Sequence, residues 1–339
     1  MTRASRKATN HMADVVDPGW AASKIRLGAP TFLAIIALWL LLAPLGARAD
    51  RALCLVLSAD KDYYLEAAEA FRRTVATTHP ALVMGEGRAS ALETLAPARD
   101  ELLVALGTEA TAKVLTRFPD NPVLSLFVTK SAWQELMATE RQRGAPTAVI
   151  FMDQPMDRFI HLAALLKPSA RTLATVFGPV SALEQPTFSA EARAQGFELV
   201  SSHLGSKDNP VAALTPLFKR GDLFVALPDQ GLFNRTVARW ALYLGFKYKV
   251  PLVGFSRSYT EAGALASLLT SPEDIGRQGG EWLDDYLSGR DQSPWNEIPP
   301  RYFSLEINPS VARALGIDIP SEEALYQQLV ERLDQDRQP

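Results

Sequence analysis

The sequence predicts an α/β protein of two doubly wound parallel-sheet lobes joined by a hinge that the chain crosses several times. Short runs rich in leucine and β-branched residues alternate with longer segments of helical period, the rhythm of parallel strands with crossover helices. That alternation comes in two successive series, and the pieces after them are too few for a third core. Beyond residue 49 the chain holds 290 residues, near the size at which one hydrophobic core stops growing.

In the first series, strands are expected at 53–57, 82–84, 102–106, 123–127 and 148–150. Helices 63–77, with Asp62 as N-cap, and 108–117, with Glu109 in its first turn, lie between them. The second series runs helix 156–166, strand 172–177, helix 187–195 ended by Gly196, strand 199–202, helix 210–218, strand 222–227, helix 232–244 ended by Gly245, and strand 251–255. The remainder supplies strand 265–269, helix 273–287 ended by Gly289, strand 302–307 and the short helix 309–314. These pieces return to the two earlier lobes, with Pro294 and Pro299-Pro300 suited to a late extended crossing. The expected division is 50–152 with 260–292 as the first lobe, 153–259 with 293–320 as the second, and 321–339 as a C-terminal helix or tail.

Residues 1–49 are expected to be an export signal with a long leading region. The apolar core Phe32–Ala43 follows Lys24 and Arg26, and Ala47-Arg48-Ala49 puts small residues at both positions a signal cleavage site requires. Met12 is an alternative start. An uncleaved inner-membrane anchor is the alternative to cleavage; a spanning helix takes about 20 apolar residues, and Pro30, Thr31 and Pro44 interrupt the flanks. The expected location is therefore the periplasm. Residues 1–49 hold six Lys/Arg and two Asp/Glu, which leaves 29 basic and 36 acidic residues and a balance of −7 in the remainder. Such a surface disfavours nucleic acid and suits a freely diffusing monomer. The single Cys54 sits in the apolar run 53–57 and reads as a buried small hydrophobe.

Nothing in the sequence points to catalysis. His79, His161 and His203 are far apart, with no i, i+4 pair to hold a metal. No Gly-x-Ser-x-Gly elbow or phosphate loop occurs, and the Gly85-Glu86-Gly87-Arg88 turn is too short for a dinucleotide fingerprint. No cofactor is expected.

Open parallel sheets bind ligands beyond the carboxyl ends of their strands. Applied here, that rule selects Ser58, Asp60 and Tyr63 after the first strand, Gly107 and Thr108 after the third, and Thr129 after the fourth. From the second lobe it selects Gly178 and Ser181, then Pro228-Asp229-Gln230, then Ser256, Arg257 and Tyr259. Thr108 at a helix N-terminus, behind Gly107, suits a carboxylate, which Arg257 can also grip as a fork. Asp60 and Asp229 suit an ammonium, and Tyr63, Phe127, Phe233 and Tyr259 an apolar or aromatic ligand body. Each has a structural alternative: Thr108 and Asp229 as helix caps, Arg257 as a solvated or hinge-bridging side chain, Phe127 and Phe233 as core.

A run of motifs adds a further expectation. Gly263-Ala264-Leu265-Ala266-Ser267, Ile275-Gly276-Arg277-Gln278-Gly279, Leu287-Ser288-Gly289, Leu305-Glu306-Ile307-Asn308 and Ala314-Leu315-Gly316-Ile317-Asp318-Ile319-Pro320 resemble, in order and spacing, the substrate-binding proteins of the ABC transporter family that includes tryptophan- and tyrosine-type binders. Ala105-Leu106-Gly107-Thr108-Glu109-Ala110 looks like that family's strand-to-helix turn, and the likeness covers about residues 51–320. The resemblance implies the type I periplasmic binding protein fold, a ligand in the interlobe cleft and delivery to a membrane permease. Two turns depart from the family's pattern: Leu124–Ser131, where an Asp-Pro turn is usual, and Gly178-Pro179-Val180-Ser181, where an Asn-containing turn is usual. The expected function is an exported binder of a small, amino-acid-like organic molecule that feeds an ABC permease. A periplasmic sensory or adaptor module touching a sensor kinase or outer-membrane receptor is the alternative.

Overall fold

The structure is a computed structural model that describes residues 53–139, 144–205, 207–229, 231–232, 234–290 and 295–336; the expected export signal lies outside them. The first lobe grows from β1 (Leu53–Leu57), whose five residues are all buried. Strand alternation splits them between two cores, Leu53, Leu55 and Leu57 facing one and Cys54 and Val56 the other, as in a parallel sheet covered on both faces. After β1 come α1 (Asp62–Thr78), β2 (Met84–Arg88), β3 (Leu102–Leu106), α2 (Thr108–Arg117), β4 (Val123–Val128), α3 (Lys130–Thr139) and β5 (Thr147–Phe151).

The second lobe follows with α4 (Met156–Leu166), β6 (Thr172–Phe177), α5 (Gln185–Ala194), β7 (Glu198–His203), α6 (Pro210–Arg220), β8 (Leu223–Val225), α7 (Arg235–Tyr248), β9 (Leu252–Gly254), α8 (Arg257–Glu261) and β10 (Ala266–Leu269). The chain closes with α9 (Pro272–Leu287), β11 (Glu297–Ile298), β12 (Ser304–Ile307), α10 (Pro309–Leu315) and α11 (Glu322–Asp336). Two six-stranded sheets result, ordered β11-β5-β4-β3-β1-β2 and β12-β10-β9-β8-β6-β7. Every pairing is parallel except β10 with β12.

This topology moves the expected division of the late segments. Residues 260–292 do not all join the first lobe: β10 lies between β9 and β12 in the second sheet, and only α9 packs back on the first lobe, beside α1. Residues 293–320 are likewise shared, since β11 extends the first sheet beside β5. A two-residue strand held by one neighbour leaves too little pattern to read. The α1–α9 contact depends on Gly276, where a Cβ would sit 2.1 Å from the Ala67 carbonyl oxygen. Gly276 therefore serves packing, but Gln278 of the same run is buried and binds the backbone of residues 299 and 301. The helix expected at 232–244 begins instead at Arg235, where the Asn234 side chain accepts from the Thr236 and Val237 amides, and runs through Gly245 to Tyr248. Leu325, Leu329 and Leu333 seat α11 in the core of the second lobe.

Gln154 ties the interlobe crossings together. Its Nε2 donates to Thr270 Oγ1 at 2.6 Å and to the Tyr302 carbonyl at 2.8 Å, while its Oε1 accepts from Arg158 at 2.5 Å. Those partners lie on the second crossing, the third crossing and α4. Thr270 in turn donates to the Met152 carbonyl at 2.8 Å.

Candidate functional site

Two adjoining cavities lie between the lobes at the carboxyl ends of the strands, of about 240 and 290 Å³. Asp153, Gln154 and Pro228 line both. The smaller is walled by Thr129 and Met152 from the first lobe, and by Asp229, Phe255, Ser256 and Leu268 from the second. Lys130 and Ser131 face Ser181, Glu184 and Glu191 across the larger. Both volumes lie just below the range of about 300–1,000 Å³ that drug-sized ligands occupy.

Each wall has a local cause. Thr129 sits at the start of α3, where its Oγ1 accepts from the Ala132 amide at 3.3 Å. One residue on, the Lys130 amide donates to the Asp153 carboxylate, and the Lys130 ammonium reaches across the cleft to Glu184. Burial raises the Asp153 carboxyl to about 6, and the Glu184 charge adds to the rise, against the hydrogen bond from the Lys130 amide and the Lys130 charge. The Asp153 carboxyl, the hydroxyls of Thr129 and Ser256, and an apolar floor of Phe255 and Leu268 can hold a small molecule that is polar at one end and apolar at the other.

Of the residues selected by the strand-end rule, Thr129, Asp229 and Ser256 line the smaller cavity and Ser181 the larger. Asp229 is not free to receive an ammonium. It is 1% exposed, and its Oδ2 accepts from the Val180 and Ser181 amides and the Ser181 hydroxyl at 2.8–3.1 Å, while its Oδ1 accepts from the Leu232 amide at 3.2 Å. The carboxylate thus staples the departing 178–181 turn to the 229–232 loop. Ser58 is similarly committed, donating to the Leu106 carbonyl and accepting from the Ala110 amide, both at 2.9 Å, so it caps α2.

The other first-lobe candidates stand outside both cavities. Asp60 pairs with Arg88 at 2.6 Å. Gly107 is the N-cap residue of α2, and Thr108 is exposed at that helix's start. Tyr63 stacks on Phe127 with ring centroids 5.6 Å apart, and Tyr64 meets the same ring edge-on at 5.4 Å. Phe127 adopts φ +61° at the irregularity between β4 and β5, a conformation an aromatic residue rarely takes.

Two second-lobe candidates turn away from the cleft. Arg257 pairs with Glu306 at 2.7 Å and is well exposed. Tyr259 is buried in the core, where its ring packs on Phe255 and burial raises its hydroxyl. The intervening cause is α8: residues 257–261 form a short helix rather than a loop, with Ser256 as its N-cap residue. Gln230 and Phe233 lie outside the described residues. Asp153, Gln154, Lys130 and Phe255 escaped the sequence reading. Extending the strand-end rule past β5 to residue 153 selects the first of these.

The fold and cleft define a two-lobed α/β binding protein. A family model for ABC transporter substrate binding proteins matches residues 85–329, and the chain belongs to that family. Among solved structures, a ligand-free, open substrate-binding protein with adhesive properties from Clostridium difficile is 16% identical, with 80% of this chain and 96% of that one covered and a TM-score of 0.61. A domain from Streptococcus pneumonia in complex with L-Trp is 16% identical over 81% of this chain and 98% of that one, with a TM-score of 0.52. A conserved domain protein from Vibrio cholerae is 18% identical over 81% and 97%, with a TM-score of 0.52. These likenesses give the type I periplasmic binding protein fold. No curated protein sequence matches the chain. No helix of the described residues is long and apolar enough to cross a membrane, and no cluster of metal-ligating side chains occurs among them.

Proposed function

We propose that this chain is an exported solute-binding protein that holds a small, amino-acid-like molecule in the interlobe cleft and delivers it to an ABC permease as a monomer. The observation that supports this most is the smaller cavity, built jointly by both lobes from Thr129, Asp153, Phe255 and Ser256. A ligand lodged there touches both lobes at once, so binding favours the closed form by its extra contacts. Asp153 receives the ligand's cationic end, Thr129 and Ser256 its polar groups, and Phe255 with Leu268 its apolar body. The exported location rests on the signal-like pattern of residues 1–49.

The test is calorimetric titration of the chain from residue 50 with a library of free amino acids, with small-angle scattering for compaction. Binding of one class with a measurable decrease in radius, lost in Asp153→Ala, is expected. No heat and no compaction across the library would sink the proposal.

A further inference from the structure

A cavity of about 940 Å³ lies not in the cleft but against α7, α8 and α10 of the second lobe. Its origin is a thin place in the helix layer. The other α-helices that join successive parallel strands in this protein run 10–17 residues, whereas α8, between β9 and β10, has five. Its inner side, Tyr259 and Thr260, is buried close against β9. Gly254 presents no side chain under it, and a Cβ there would sit 2.3 Å from the Cβ of Tyr259. With α8 this short, residues of α7 and α10 form two walls of a slot that α8 floors.

One wall of the slot runs the length of a short helix. From α7 the slot is lined by Arg235, Arg239, Leu242 and Phe246, and from α10 by Val311 and Leu315. Arg235 to Phe246 spans about 16 Å at 1.5 Å per residue, or three turns. Within it α7 exposes Tyr243 at 50% and Phe246 at 83%, so aromatic surface is left uncovered toward the C-terminal end of that wall.

Charge selects what fills it. Residues 230–260 contain five basic side chains and no acidic one, in a region of the chain whose balance is otherwise negative. Arg235, Arg239, Lys247 and Lys249 have no anionic partner in any ion pair of the described residues. A second copy using the same face would set these cations against each other, and a flat bilayer would not reach a recessed floor. We infer that this slot docks an acidic amphipathic helix of a partner protein, its apolar stripe on Leu242, Val311 and Leu315 and its carboxylates on Arg235 and Arg239.

Two 15-residue helical peptides with the same leucine stripe, one flanked by glutamates and one by lysines, are titrated against the full chain by fluorescence anisotropy. The glutamate peptide is expected to bind, and the double variant R235E/R239E, checked for an unchanged thermal midpoint, to weaken it at least tenfold. Equal binding of both peptides, binding of neither, or indifference to the double variant overturns the inference. In parallel, a benzophenone side chain in place of Phe246 is photoactivated in the native host. A cross-link to an acid-rich helical segment of another protein supports the inference; a cross-link only to lipid, only to a second copy, or to nothing overturns it.

Discussion

Replacing Gln154 by leucine removes a buried side chain that hydrogen-bonds to the second and third interlobe crossings while sitting on the first. Leucine is of similar volume, so the loss is polar rather than a cavity. Two neutral hydrogen bonds go, to Thr270 Oγ1 at 2.6 Å and the Tyr302 carbonyl at 2.8 Å, together with one from the Arg158 guanidinium at 2.5 Å. At about 0.5–1.5 kcal/mol for each neutral bond and about 1.5–3 for the charged one, the expected cost is about 2.5–6 kcal/mol. A chain of this length loses about 2 °C of melting temperature per kcal/mol, so Gln154→Leu should melt about 5–12 °C lower by circular dichroism. Scattering of the same variant should show a broader distribution of interlobe distances, because the crossings no longer move as one bundle. A shift under about 2 °C with unchanged scattering would mean that other contacts hold the hinge.

Asp153→Asn should raise the melting temperature at pH 8 and leave it nearly unchanged at pH 4. The native carboxyl lies at about 6, above its ordinary 3.8, so its contribution favours the fold at low pH and is lost as pH rises through 6; a pH series of melts on both proteins checks the sign. Asp229→Ala strands the donors of Val180, Ser181 and Leu232, each costing about 1–3 kcal/mol; a urea titration should show a loss of at least about 3 kcal/mol. Arg257→Ala, whose ion pair with Glu306 is solvent-exposed on the arginine side, should change the same titration by less than about 1 kcal/mol. Lys130→Gln removes an ion pair that bridges the lobes through half-exposed side chains; it should lower the closed-to-open ratio seen by scattering up to about fivefold, about 1 kcal/mol.

The strand ends found by the sequence rule did gather Thr129, Asp229 and Ser256 around one cavity, because a parallel sheet brings the carboxyl ends of its strands to one side whatever the loops do. Periodicity was strong enough to place β1, α2, α4 and β6, where apolar runs or amphipathic stripes face a core on known sides. It missed β11 and α8, which are two and five residues long and carry no repeat to detect. The role of Asp229 was open in the sequence because a carboxylate after a strand serves equally as ligand contact or staple; four hydrogen-bond donors converging on it decide for the staple.

The sequence by itself determined two wound lobes and the parallel sense of their strands apart from β12, since those depend on local pattern and on the fixed handedness of crossover connections. Only the tertiary structure decided which lobe each late segment joins and how Gln154 binds the crossings. It alone also decided that Lys130 of one lobe meets Glu184 of the other, 54 residues on. Those outcomes depend on which surfaces meet at long range, and residue spacing along the chain carries no information about that meeting.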